Sequence, residues 1–203
     1  MPVSSASPIV RALLQQRRGF ARDERGVTAI EFGLLALPFF SIVGAILETS
    51  LIFLSGQALE SAVQDASRLI RTGQAQETSV TAAGFKTLVC DRVFGLIRDC
   101  DSLLHVEVDV IDTFGEVDMT APVSWECGEA EPGETAAQAA ARCAAWTRPE
   151  SYTPGTGSSI VTVQVYYKWP VIVPFGGLGL SNLPDGRRVM GAATVFRNEP
   201  FTS

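Results

Sequence analysis

An apolar block near the N-terminus is the longest feature of the hydropathy pattern. No charged residue occurs within residues 32–47 or 49–59, and Glu48 alone separates the two stretches. At about 1.5 Å per residue, a helix over this block is long enough to cross a hydrocarbon core of about 30 Å. We therefore predict a transmembrane helix over residues 27–55. Pro38 lies inside it and predicts a kink, either as a tolerated membrane proline or as a functional hinge.

Beyond this block the apolar residues recur with a helical period. Charged and amide side chains occupy the other faces, while one face carries the apolar residues Leu59, Val63, Ala66 and Ile70. This pattern predicts an amphipathic extension of the same helix over residues 56–73, which Gly73 ends.

The rest of the chain, residues 74–203, combines helical and strand-like periods. Apolar spacing predicts a helix over residues 81–98, and an Ala-rich stretch predicts another around residues 134–146. Alternation predicts a strand over residues 105–112 with Val106, Val108 and Val110 pointing inward, and two more strands over residues 160–170 and 188–197. The predicted fold class is α+β: a long N-terminal transmembrane helix continues into a soluble domain with a second helix and a small antiparallel β-sheet.

Charge is distributed unequally along the chain. Residues 1–26 carry five arginines and two acidic residues, a net charge of +3, whereas residues 72–203 carry nine basic and sixteen acidic residues, a net charge of −7. Because arginine resists translocation, the N-terminus is predicted to stay in the cytoplasm and the domain to lie on the outer side of the membrane. An acidic domain lacks the basic face that phosphate binding requires, so we expect no nucleic-acid partner.

Four cysteines, all in the domain predicted to lie outside, indicate disulfides. Thiols are oxidised there, and an even number predicts two bridges, for which three pairings exist. Short loops close most easily, which favours Cys90–Cys100 and Cys127–Cys143. A metal site is the weaker interpretation, because no two cysteines have the spacing of zinc ligands and His105 is the only histidine. We expect neither a metal nor another cofactor.

The entrance to the apolar block has the sequence Arg25-Gly26-Val27-Thr28-Ala29-Ile30-Glu31-Phe32. A glutamate just inside a bilayer is costly and usually functional. Cleavage after Gly26 would give Val27 a free ammonium close to Glu31, in a first helical turn that favours a carboxylate. The two groups would then pair, within one chain or between neighbouring chains. Glycine suits the scissile position because a side chain there would crowd an active site at membrane level.

This motif resembles the class III prepilin signal of type IV pilins, which an aspartyl prepilin peptidase cleaves on the cytoplasmic side. In that family the glutamate five residues into the mature chain docks the subunit, and Glu31 occupies the matching place. Three further stretches, LPFF at 37–40, GAILE at 44–48 and AVQDASRLIRTG at 62–73, resemble the TadE-like family of minor pseudopilins of the tight-adherence (Flp) pilus. TadE-like and TadF-like assignments both stay open. Val27 departs from the aromatic first residue common in pilins.

The resemblance implies a single-pass protein of the bacterial inner membrane whose leader, residues 1–26, is removed between Gly26 and Val27. It implies association with prepilin peptidase, with other pilins or pseudopilins through the N-terminal helix, with the assembly platform and with membrane lipid. No small-molecule substrate is expected. Glu48 lies about 25 Å beyond Glu31 along the helix. It is predicted either to contact a partner helix or to reach water at the outer membrane surface.

Export signals give a competing interpretation. Arg17-Arg18-Gly19-Phe20 is similar to the start of a twin-arginine signal, and small residues near Ala58 suit a secretory signal. The apolar block is longer than the core of either signal, and it continues into an amphipathic helix.

Two other classes of protein share part of the pattern. An anchored enzyme would need more than the acidic set Glu107, Asp109 and Asp112, because alternate carboxylates on a strand more commonly form its solvated face. No motif of a catalytic family is present, so we expect no enzyme. A generic anchored binding or assembly-factor domain would keep its leader and would not need Gly26 or Glu31.

Overall fold

The longest element of the computed structural model, which describes residues 26–126, 131–172 and 180–202, is helix α1 at Val27–Arg71. It ends as predicted, because Gly73 adopts a left-handed conformation with φ of 83°. The chain divides into two compact units, Met1–Ala45 and Ile46–Ser203, so the first 19 of the 45 residues of α1 belong to the first unit.

The second unit contains short helices followed by strands. In chain order the elements after α1 are α2 (Gln74–Glu77), α3 (Ala82–Cys90), α4 (Cys100–Leu103), β1 (His105–Ile111), a 3-10 turn (Phe114–Glu116), α5 (Ala136–Ala144), β2 (Ser151–Tyr152), β3 (Ile160–Pro170) and β4 (Arg187–Arg197). This confirms the α+β class, and the three predicted strands agree with β1, β3 and β4 to within one residue at each end.

The strands form one sheet in the order β2-β1-β3-β4. Strand β3 is antiparallel to both neighbours, with Tyr166 opposite His105 on β1 and Gly191 on β4. The sheet is mixed, however, because the two residues of β2 run parallel to β1. A two-residue strand has no alternation to detect, and the sequence therefore predicted only the antiparallel part.

The amphipathic part of α1 packs on one face of this sheet. The predicted stripe Leu59, Val63, Ala66 and Ile70 is fully buried, together with Ala62. It forms one core with strand residues that include Val106, Val108, Val161, Val163, Val165 and Met190. Burial of apolar area contributes about 25 cal/mol per Å², so this contact stabilises the second unit.

Helix α3 is shorter than its apolar spacing predicted. Thr81 caps its start, accepting a hydrogen bond from the backbone N–H of Gly84 at 3.2 Å, but the helix ends at Cys90 instead of continuing to residue 98. The backbone is left-handed at Phe94 and Gly95, with φ of 53° and 71°, which no α-helix accommodates. Apolar side chains after the end of the helix, such as Val93, are still buried. The apolar residues therefore keep the spacing of a helix although the backbone there is not helical.

The predicted inward orientation is correct for Val106 and Val108 but wrong for Val110, whose side chain is 42% exposed. The opposite face of β1 is not solvated either, since His105 and Glu107 are buried. Residues on both faces of this strand are therefore covered, and simple alternation identified only one of its two packed surfaces.

Candidate functional site

The membrane-entrance part of α1 belongs to the first unit. Its large apolar side chains, including Phe32, Leu34, Leu37 and Phe39, are 61–74% exposed. The most apolar stretch of α1 is long enough to cross a membrane, and no residue of that stretch is buried by the described part of the chain. An exposed apolar helix is stable only in an apolar medium. These observations agree with a single-pass membrane protein.

Gly26, Val27 and Glu31 lie together at the start of α1. Val27 is the first helical residue and Glu31 follows it by four, so the two lie on the same helical face. Glu31 is exposed, and its carboxylate has no hydrogen bond or ion pair with the described residues. A methyl group added to Gly26 would meet no atom within 4 Å. Arg25, the residue before the predicted cleavage site, lies outside the described residues.

Glu48 has a different environment. It is 3% exposed and belongs to the second unit, where its Oε1 accepts a hydrogen bond of 2.6 Å from the backbone N–H of Ile172. Ile172 follows the end of β3, so this carboxylate binds a backbone group that the sheet leaves unpaired. Charge-assisted bonds of this kind are shorter and stronger than neutral ones.

The sequence missed this role of Glu48. The sequence predicted either a contact with a partner helix or exposure to water. The residue that Glu48 bonds is 124 positions away, and no local sequence pattern indicates it. A carboxylate inside an otherwise uncharged block was the signal that something must satisfy it. The use of Glu48 in docking stays a prediction, and the hydrogen bond to Ile172 favours a role within its own chain.

The packed stripe of α1 begins inside the segment predicted to span the membrane. Glu48 and Ser55 are buried and Ile52 packs against the core, whereas Leu51 and Phe53 are 43% and 71% exposed. Over these two turns one side of the helix contacts the domain and the other sides present apolar residues. The predicted boundary at residue 55 therefore lies within a region that the domain already covers.

Pro38 lies inside α1, and the helix continues through it to Arg71. Three residues later Ser41 donates a hydrogen bond of 2.7 Å to the carbonyl oxygen of Leu37. The predicted role of Pro38 as a hinge stays a prediction.

A buried polar cluster covers the face of the sheet opposite α1. His105 Nε2 lies 3.1 Å from Glu107 Oε1, and Arg148 donates to both carboxylate oxygens of Glu107 at 3.2 and 2.9 Å. The ring of Trp146 stacks on His105 with centroids 4.5 Å apart. Lys168 Nζ lies 4.0 Å from the centre of the same Trp146 ring. This cluster fixes the segment around α5 to the sheet.

The cluster corrects the sequence interpretation of the carboxylates on β1. Glu107 is not on a solvated face, because the Trp146–Arg148 segment covers it. Asp109 has another partner and accepts a hydrogen bond of 2.7 Å from the Ser151 hydroxyl. Each of these two buried or half-buried carboxylates is thus satisfied by a structural contact, which is the ordinary requirement for burying a charge.

The cysteines agree with the local pairing as far as the structure describes them. Cys90 and Cys100 form a disulfide with their Cα atoms 5.7 Å apart, which confirms this predicted bridge. The bridge links the end of α3 to the start of α4 across the irregular turn. Cys143 is buried and disulfide-bonded, while its predicted partner Cys127 lies outside the described residues.

Comparison with known proteins bears on the N-terminal segment. Residues 26–68 match the model of the family described as TadE-like protein. The match includes the Gly26–Glu31 motif, Glu48 and most of α1. No curated protein and no solved structure matches the chain significantly. The matched segment carries the entrance motif and most of the helix that the domain packs against, and over these residues the chain is similar to TadE-like proteins.

Proposed function

We propose that this chain is a minor pseudopilin that takes part in assembly of the tight-adherence (Flp, type IVc) pilus. It enters the inner membrane with its basic leader in the cytoplasm and its acidic domain outside. Prepilin peptidase removes residues 1–26, and the mature chain packs against other pilins through its N-terminal helix. The observation that carries the proposal is Glu31, an exposed carboxylate without a partner among the described residues, one turn into an apolar helix.

The chemistry of cleavage explains why such a carboxylate is useful. A charged side chain costs on the order of 3 kcal/mol at the bilayer centre and less at the membrane entrance, where Glu31 is predicted to lie. Cleavage creates an ammonium on Val27, and two opposite charges about 4 Å apart attract by about 4 kcal/mol at an effective dielectric constant of about 20. The new charge is therefore sufficient to offset the cost. Because Glu31 has no partner among the described residues, the ammonium of a neighbouring subunit can also pair with it, which favours docking of the helices.

The arrangement of the chain supports an accessory role in the filament. The exposed apolar surface of α1 suits packing among other pilin helices within the membrane or the fibre core, while the domain of residues 74–203 remains outside and offers a surface to the assembly platform. Glu48 is buried against Ile172, so we assign docking to Glu31 and intrachain stabilisation to Glu48.

Determination of the mature N-terminus tests the proposal. The full chain, with a C-terminal tag, is expressed with and without the cognate prepilin peptidase and measured by intact mass spectrometry. We expect a chain that begins at Val27 only when the peptidase is present. Gly26→Val is expected to abolish cleavage, and because an added Cβ at Gly26 meets no atom within 4 Å, we do not expect the substitution to disturb the described fold.

Gly33→Ala is the matched control, because Gly33 is also a glycine of α1 whose added methyl group would meet no atom within 4 Å. It should be cleaved like the unmodified chain. An intact leader under both conditions would contradict the proposal and indicate a generic anchored domain. A new N-terminus near Ala58 would indicate a secretory signal instead.

A further inference from the structure

A groove separates the last turns of α1 from the outer strand of the sheet. It encloses about 420 Å³, and its walls include Ser67, Arg68 and Arg71 from α1 and Thr194 and Val195 from β4. All of these residues belong to the second unit. Neither the entrance motif nor the polar cluster on the opposite face uses them.

The groove carries positive charge that no acidic side chain among the described residues pairs with. Arg68 and Arg71 are exposed, and neither guanidinium forms a hydrogen bond or an ion pair with the described residues. Asp65, the acidic residue of the lining, is 3.5 Å from Arg92 instead. The two arginines lie on consecutive turns of α1, and guanidinium groups match carboxylates well.

Ser67 adds a second polar group to the groove. Its side chain is 3% exposed and its hydroxyl has no hydrogen-bond partner among the described residues. Two other serines of α1, Ser41 and Ser50, donate to the carbonyl oxygen four residues earlier at 2.7 Å. Ser67 forms no such bond. A buried hydroxyl without a partner is costly, so a ligand group that reaches Ser67 would be favoured.

The third feature is the open edge of β4. Val189 N–H donates to Asn182 Oδ1 and Glu199 N–H donates to the carbonyl oxygen of Arg71, both away from β3. In an antiparallel strand both backbone groups of alternate residues point the same way. Gly191, Ala193 and Val195 therefore direct their N–H and C=O groups to the open edge. No hydrogen bond from these groups to the rest of the described chain is present on that side.

We propose that this groove binds an extended acidic segment of a partner protein, which adds to the sheet as a strand beside β4. The backbone groups of Gly191, Ala193 and Val195 would pair with the segment, and its carboxylates would meet Arg68 and Arg71. Strand addition supplies affinity through the main chain, and the arginines supply selectivity for acidic side chains.

Lipid head groups are a poorer match for the same arginines. Arg68 lies about four turns of helix beyond Leu54, the last exposed large apolar side chain of α1, which is about 20 Å along the axis. That distance places the groove well away from the apolar surface of the helix, at a level where partner domains, not lipid, are in reach.

The test uses the full chain in nanodiscs of neutral lipid and fluorescence anisotropy of labelled peptides. The probes are a peptide of alternating Glu and Val, one of alternating Lys and Val, and a Glu/Val peptide interrupted by proline. We expect the acidic peptide to bind and the other two to bind weakly. The double variant Arg68→Ala/Arg71→Ala should weaken binding by about tenfold.

Two further variants separate the contributions. Ala193→Pro removes an outward N–H at an edge where proline is tolerated, and it should weaken binding while both arginines are present. Arg197→Ala, an exposed arginine of β4 outside the groove, is the matched control and should bind like the unmodified chain.

Equal binding of the acidic and basic peptides, or unchanged binding in the double arginine variant, would overturn the proposal. Unchanged binding in Ala193→Pro would overturn strand addition. Loss of peptide binding when anionic lipid replaces neutral lipid would assign the arginines to the membrane and would also overturn it. None of these outcomes depends on cleavage after Gly26, so this test and that of the proposed function fail independently.

Discussion

At the scale of single residues, the two glutamates of α1 have opposite situations. Glu31 is exposed and unpaired among the described residues, whereas Glu48 is buried and bonded to the backbone of Ile172. In the sequence the two glutamates look alike, because each is a carboxylate within or at the edge of an apolar block. Only the structure separates a group available to other chains from one that holds its own domain to the helix.

We predict that Glu48→Ala lowers the free energy of unfolding of the domain by about 1–3 kcal/mol, because the Ile172 N–H loses a buried charged acceptor. Glu48→Gln keeps an acceptor and should lose less. Urea denaturation of the full chain in detergent micelles, followed by tryptophan fluorescence, measures the change.

Glu31→Ala is the control for this prediction. Its side chain is exposed, so its free energy of unfolding should change by less than about 0.5 kcal/mol, while incorporation into the pilus should be lost. Equal destabilisation by the two substitutions would contradict the assignment of Glu48 to the domain and of Glu31 to docking.

At the scale of elements, Lys168 is one of the residues that join a helix to the sheet. Lys168 of β3 donates to the carbonyl oxygens of Ala144 and Ala145 at the end of α5, at 2.6 and 2.9 Å. A cation at a helix C-terminus is favourable, and the Trp146 ring contributes a further attraction. Burial opposes these contacts and, with the nearby Arg187, lowers the pKa of Lys168 from 10.5 to about 8.

A pH dependence follows from this lowered pKa. Between pH 8 and pH 10.5 the unfolded chain binds a proton at Lys168 that the folded chain has released, so the free energy of unfolding rises with pH in this window. From about pH 7.5 to about pH 9.5 we expect a gain of about 1–2 kcal/mol. Burial raises the pKa of Tyr152, Tyr166 and Tyr167, so these side chains stay neutral there.

Urea denaturation at a series of pH values measures this effect, with Lys168→Met as the reference. The free energy of unfolding of the variant will differ from that of the unmodified chain at every pH. Its increase between about pH 7.5 and about pH 9.5 should be smaller than in the unmodified chain. Parallel slopes for the two chains would show that Lys168 does not release its proton in the folded state.

The limits of prediction at this scale have physical causes. Strands β1, β3 and β4 were found because seven to eleven residues carry a clear pattern. The predicted length of helix α3 was too long, because Val93 and Ile97 are buried at helical spacing although Phe94 and Gly95 break the helix. Burial of Glu107 depended on Arg148, 41 residues away, and strand alternation contains no information about such a partner.

At the scale of the whole molecule, one helix serves two environments. The first part of α1 presents apolar residues on its surface, and from Glu48 onward one side of the helix belongs to the core of the domain. The entrance motif and this change of pattern could be predicted from the sequence because each is formed by residues close together in the chain. The groove beside β4 was not, because residues of α1 and β4 more than a hundred positions apart form its walls.

The shared helix makes a prediction about stability. Leu59 is fully buried, so Leu59→Ala should lower the free energy of unfolding of the domain by about 2–5 kcal/mol. Leu54, five residues earlier, is 54% exposed, and Leu54→Ala should change it by less than about 1 kcal/mol. Thermal unfolding of the full chain in micelles compares the two. Similar losses would show that the side of α1 on which Leu54 lies also belongs to the core.

The packing of α1 against β3 and β4 also sets the order of events during synthesis. The helix is made first, and about 90 residues separate Ile70 from the first residue of β3. At about 5–20 residues per second, the ribosome needs roughly 5–20 seconds to supply that strand. During this interval the stripe from Leu59 to Ile70 is without the sheet that covers it. We expect the stripe to need shielding until then, and the arrival of β3 and β4 to be the step that buries it.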